Sequence, residues 1–275
     1  MRAVLGIDAA WTNTQPSGVA VALDSGDGWR LGAVAPSYGH FQALALGASV
    51  TNLRPSGSEP SAPDLLASVM ALCGSPPNLV AIDMPLSRKP ISGRRASDDA
   101  VSRAYGSRHC STHTPSALRP GKISDDLTQG FATAGHPLLT LTSTKPPGLV
   151  EVYPHPALVE FACAPTRLKY KAGKVRTYWP DCRSAERRDL LLKEWKVIVA
   201  VLDARLPGVE SALPVLDAAA GGVEIKAYED MLDAIVCACV AICVLEGTAL
   251  PYGDDTSAIW IPRPQGGAVA QLIAS

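Results

Sequence analysis

The sequence predicts a mixed α/β domain. Its sheet has five strands, an antiparallel meander followed by parallel strands, with helices on both faces and an inserted basic segment. Three observations carry this expectation. Three β-rich runs follow one another near the start of the chain, separated only by short turns. Two later apolar runs are separated by helical or polar stretches, the alternation expected of strands joined by crossovers. Three of the runs end on, or contain, a carboxylate, and function in such sheets gathers at the carboxyl ends of neighbouring strands.

In chain order, residues 3–7 (AVLGI) form a short apolar run closed by Asp8 and read as a buried strand. Residues 18–23 (GVAVAL) and 29–34 (WRLGAV) complete the meander. Residues 36–62 form a polar connection with one apolar patch at 41–46. Residues 64–73 are helix-like, capped by Ser61 or Asp64 and stopped at Gly74. Residues 78–85 (NLVAIDMP) make a strand that contains Asp83 and stops at Pro85. Residues 86–147 break the pattern as a polar, basic insertion, with helical pieces near 96–105 and 124–134. Residues 148–153 (GLVEVY) return to a strand. An amphipathic helix at 184–206 places Leu191, Trp195, Val199 and Leu202 on one stripe. Residues 228–246 read as an almost wholly apolar helix, and 258–261 suggest a last strand.

The length fits one α/β core with insertions, so residues 1–275 are expected to form a single domain. A net charge of −1 excludes a globally polycationic protein, so any affinity for nucleic acid must come from local basic patches. Seven cysteines without C-x-x-C spacing, and no N-terminal apolar run of signal-peptide length, predict a reduced cytoplasmic setting. The most apolar stretch, 234–245, falls short of the roughly 20 residues that span a bilayer, so no membrane association is expected.

Asp8, Asp83 and Glu151 each follow apolar strand residues, where a carboxylate needs hydrogen bonds, a cation or a metal. Asp230 and Asp233 lie three apart in a helix and therefore share a face. Together they suggest a set of oxygen ligands for Mg²⁺ or Mn²⁺, able to support phosphodiester cleavage. Taken singly, each acid has a structural reading too: a strand-end Asp caps the next turn, and Asp230 complements a helix start.

The segments GIDAAWTNTQPSGVAVA, VAIDMPL, VEVYPHPALVEF and YEDMLDAIVCACVA, with SRAYGSRHCSTHTP and the terminal WIP, resemble the DUF429 family over nearly the whole chain. That family is described as predicted nucleases of ribonuclease-H fold. The resemblance implies a sheet with antiparallel strands one to three and parallel later ones. It places Asp8 at the first-strand acid of ribonuclease-H-like sites and Asp83 at the fourth-strand acid, and it leaves the final-helix acid as Asp233 or Asp230. Glu151 belongs to the family's EVYP motif. Asp8, Asp83, Glu151 and Asp233 are thus the candidate catalytic residues, and Asp230 joins them as a candidate metal ligand.

Between Arg88 and Lys122, eight basic residues face only two acids, Asp98 and Asp99. Arg88, Arg94, Arg95, Arg103 and Arg108, with His113, are candidate contacts for substrate phosphate, because guanidinium forks match phosphate oxygens. Lys169 and Lys171, in a second basic stretch, join them. Nucleic acid, DNA or RNA, is the expected partner. A solvated surface loop is the plainer reading of the same charges.

Cys237, Cys239 and Cys243 fit no zinc spacing and read as small buried hydrophobes. Two other functions compete with a nuclease. One is a non-catalytic nucleic-acid- or protein-binding module that keeps the fold. The other is an ATP-binding protein of the actin and sugar-kinase type. The latter commonly carries an Asp-x-Gly-Thr turn after its first strand, where this chain has Asp8-Ala9-Ala10-Trp11.

Overall fold

A computed structural model of the chain describes residues 1–48, 54–216 and 220–264. The first three strands, β1 (Arg2–Asp8), β2 (Gly18–Asp24) and β3 (Trp29–Ala35), form the expected antiparallel meander. The fourth and fifth, β4 (Leu79–Ile82) and β5 (Gly148–Val152), run parallel to β1.

The sheet has seven strands, in the order β3-β2-β1-β4-β5-β7-β6, which corrects the expected five. Beyond the five are β7 (Ala258–Pro262), at the last strand suggested for 258–261, and β6 (Ala249–Gly253), which was not anticipated. They form a hairpin whose β7 pairs parallel with β5. The run that makes β6, ALPYG, carries Pro251 and Gly253, which weaken a strand signal. At a sheet edge a proline costs no ladder hydrogen bond, and β6 is an edge strand.

The central strands are apolar over most of their length because both faces of the sheet are covered. Leu5, Ile7, Val19, Val21 and Ile82 point to one face. There they pack beneath α1 (Tyr38–Ala45), α2 (Ala62–Cys73) and α4 (Lys122–Thr133). Val4, Ala20, Ala22, Ala81 and Val150 point to the other face. That side holds α5 (Pro154–Phe161), α7 (Ser184–Asp203) and α9 (Gly222–Leu245), joined by the single-turn α6 (Val175–Tyr178) and α8 (Val209–Ala212). Ser61 caps α2 as expected, accepting a hydrogen bond from the Asp64 amide.

The helix α9 lies directly across β1 and β2. Two glycines allow this. A Cβ at Gly6 would overlap the Ala234 carbonyl oxygen, and one at Gly18 would overlap that of Asp230. Close approach is what brings the acids of α9 down to the ends of the strands.

The basic insertion is not a free loop. Its first helix, α3 (Ala96–Tyr105), packs on β6 and β7, and α4 packs on α2 and β5. Among the described residues no helix is long and apolar enough to cross a membrane.

Candidate metal centre

Asp8 is the last residue of β1, and Asp83 follows the last residue of β4. The parallel register pairs Ile7 with Ile82, and the Asp83 amide donates to the Ile7 carbonyl at 2.9 Å. The two acids therefore occupy equivalent positions on neighbouring strands. Asp233 descends on them from α9. Single carboxylate oxygens of Asp8, Asp83 and Asp233 lie within 4.8 Å of one another.

This placement holds negative charges together where water is partly excluded, Asp233 buried and Asp8 and Asp83 half-buried. Burial raises the Asp8 carboxyl well above its ordinary value, and the charges of Asp230 and Asp233 add to the effect. Burial, then Asp233, pushes Asp83 up to about 7. Two lysines offset part of the charge. Lys171 pairs with Asp233, whose other oxygen accepts a 2.6 Å bond from the Tyr170 hydroxyl. Lys226 pairs with Asp230. Burial opposes the Lys171 charge, but Asp233, Tyr170 and Asp8 together hold its ammonium well above the usual range.

Among the described residues no ion pair reaches Asp8 or Asp83. The donor set around this gap is hard carboxylate oxygen, without thiol or imidazole, and so suits Mg²⁺ or Mn²⁺ rather than zinc. The sequence offered both Asp230 and Asp233 as ligands. The structure brings an oxygen of Asp233 into the cluster, while Asp230 pairs with Lys226 and stays against Asp8.

Glu151 stands outside the cluster, contrary to its reading as a ligand. Its oxygens accept from Arg95 Nη1 and Nη2 at 2.6 and 2.8 Å and from the Leu86 amide at 2.8 Å. Arg95 also binds both oxygens of Asp98 and the Leu86 carbonyl, so all of its donors point inward. The reason is burial: a carboxylate at 3% exposure needs a cation, and Arg95 is that cation.

The other candidate phosphate contacts divide in two. Arg94 is tied to Asp99 and Ser102. Arg108 pairs with Glu160 and caps the Ala164 carbonyl. Arg88 donates to the Leu138 carbonyl on another face. Arg103 and Lys169 are exposed and line none of the cavities beside the acids. His113 and Lys171 do line the cleft over Asp83.

Trp11 and Lys226 on the cleft wall were not singled out from the sequence, whereas Arg167 and Lys174 belong to the second basic stretch beside Lys169 and Lys171. Lys226 had a signal, since Lys226 and Asp230 have the i,i+4 spacing of a helical ion pair. The cleft is thus acidic at its base and basic at its rim.

No curated protein and no solved structure matches the chain. The family model DUF429, described as a protein of unknown function, matches residues 6–257, and the chain belongs to that family.

Proposed function

We propose that the protein is a metal-dependent nuclease or phosphodiesterase of ribonuclease-H-like fold. It would hydrolyse phosphodiester bonds in nucleic acid, with Mg²⁺ or Mn²⁺ held by Asp8, Asp83 and Asp233. The observation that carries the reading is the convergence of those three carboxylates within 4.8 Å, with two of them lacking an ion pair. The strand directions support the fold, with β1 to β3 antiparallel and β4 and β5 parallel to β1. The seven cysteines are free thiols, which supports a reducing, cytoplasmic setting.

When bound, the ion supplies Lewis acidity toward the phosphate and brings a water to reaction. The chain's own residues do the rest. Asp8 and Asp83 fix the ligand geometry through two rigid strand ends. Tyr170 and Lys171 hold Asp233 in one orientation. Lys171 and Lys174 present positive charge, and His113 a polar ring, at the mouth of the cleft, where a phosphate backbone would pass.

The test is a titration with Mg²⁺ and Mn²⁺, read by thermal unfolding and by cleavage of labelled DNA and RNA. The wild type should be stabilised and active, and Asp8→Asn and Asp83→Asn should lose both responses. Metal binding without turnover on any strand would favour a binding module instead. No metal effect on stability, with intact nucleic acids after long incubation, would sink the proposal.

A further inference from the structure

Beyond Asp83 the cleft continues into a lobe of about 420 Å³ that the carboxylate cluster does not fill. Its charges are distinctive. Of the four acids in its lining, three are paired: Asp98 and Glu151 with Arg95, and Glu229 with Lys226 and the Ala172 amide. Only Asp83 is not.

Of the five cations in its lining, Arg95, Lys171 and Lys226 are paired, whereas Arg167 and Lys174 are left open. Arg167 is half-buried, and its Nε is shielded from solvent without a hydrogen-bond partner. Among the described residues no ion pair includes Arg167 or Lys174, although both face the lobe. A buried guanidinium donor without an acceptor is costly, and an anion with several oxygens relieves it.

Further in, His155 is 6% exposed and lies on the wall. Its ring sits edge-on between Tyr153 and Tyr170, with centroids 5.3 and 5.2 Å away. Its Nδ1 has no partner. Burial, with Lys171 and Arg167 adding to it, keeps the imidazole neutral, so it offers one donor and one acceptor. Met84, Val152 and Ile259 supply apolar wall around it.

The lobe therefore combines an anion seat, an amphoteric polar group and apolar sides. Its volume lies within the roughly 300–1,000 Å³ of small-ligand sites, with room for one nucleotide unit and not for a stacked duplex. We infer that this lobe is a subsite for a single nucleoside monophosphate unit. Its phosphate lies on Arg167 and Lys174 and its base or sugar edge at His155, so the preferred substrate presents an unpaired or terminal nucleotide to the carboxylates. The inference deepens the phosphodiesterase reading and rests on it for the identity of the substrate. Occupancy of the lobe itself can be read without metal.

The experiment is calorimetric titration of the full chain in EDTA with adenosine and uridine 5′-monophosphate, the matching nucleosides and inorganic phosphate. A nucleoside monophosphate should bind, and inorganic phosphate should bind at least about tenfold more weakly. Arg167→Gln, at a half-exposed position that leaves the fold intact, should weaken nucleotide binding by about tenfold or more. His155→Phe should weaken nucleotide and leave phosphate unchanged.

No nucleotide binding at millimolar concentration overturns the subsite. So does an unaltered Arg167→Gln, or phosphate binding as tight as nucleotide. The two readings separate cleanly. Cleavage under Mg²⁺ without nucleotide binding in EDTA removes the subsite and leaves the nuclease. Nucleotide binding by a wild type that cleaves nothing removes the nuclease and leaves a nucleotide site.

Discussion

Arg95 closes on Glu151 with both terminal nitrogens, at 2.6 and 2.8 Å, and both side chains are buried. The pair joins the start of α3 to β5, and the same arginine holds the Leu86 carbonyl three residues after Asp83. It is a brace behind the centre rather than a contact for substrate.

Removing the arginine should therefore unsettle the fold. Arg95→Met strands Glu151 and Asp98 in a buried setting, and breaking such a pair costs about 3–5 kcal/mol. Chemical denaturation should show a loss of that order. The double variant Arg95→Met, Glu151→Leu should recover part of it. A single variant within about 1 kcal/mol of wild type would contradict the brace.

Stability should also depend on pH through Asp83. Its carboxyl is raised from 3.8 to about 7 in the folded chain, by burial first and Asp233 second. A group raised on folding contributes stability while protonated, fully below its unfolded value, and loses it as pH climbs through the folded one. In EDTA, wild type should thus lose ground to Asp83→Asn between about pH 4 and about pH 7. Saturating Mg²⁺ should flatten the difference. Thermal melts of both proteins across that range decide it, and parallel curves in EDTA would refute the assignment.

The glycines beneath α9 offer a third test. Gly18→Ala inserts a methyl against the Asp230 carbonyl, and overpacking of this kind costs about 1–3 kcal/mol. The helix must lift to accept it, taking Asp233 with it. Mn²⁺ affinity should fall along with stability. Gly39→Ala, in α1 with open space around it, should instead be neutral or slightly stabilising.

Tyr170→Phe probes orientation alone. It deletes the 2.6 Å bond to Asp233 and keeps the ring. A bond to a charged group contributes about 1.5–3 kcal/mol, and loss of a ligand's supporting bond weakens metal binding by about tenfold or more. Unchanged Mn²⁺ affinity would show that Lys171 suffices to hold Asp233.

The sheet was legible wherever burial on both faces forced unbroken apolar runs, which is why β1, β4 and β5 stood out with their acids. Pro154 both ends the β5 run and opens α5, since proline suits the first turn of a helix, and α5 was not among the expected helices. Residues 41–45 of the apolar patch proved to belong to α1, which at about two turns is too short for an amphipathic pattern to recur along it. Asp8 and Asp83 could be paired from sequence because parallel neighbours put strand ends side by side. The fate of the arginines could not. Arg95 and Arg108 meet Glu151 and Glu160, 56 and 52 residues away, and a local charge count sees neither partner. Arg167 and Lys174 matter for the opposite reason: among the described residues no acid pairs with them.

The three acids of the centre sit at positions 8, 83 and 233, spread over most of the described chain. A protein emerging from synthesis would hold two of them early and the third only after α9 has been made and laid across β1 and β2. The complete cluster is therefore a readout of finished folding. A fragment cut before α9 would keep only β1 to β5 and would lack the third acid. An ion bound there would secure the first strand and the last long helix to each other, tightening the whole chain rather than one corner of it.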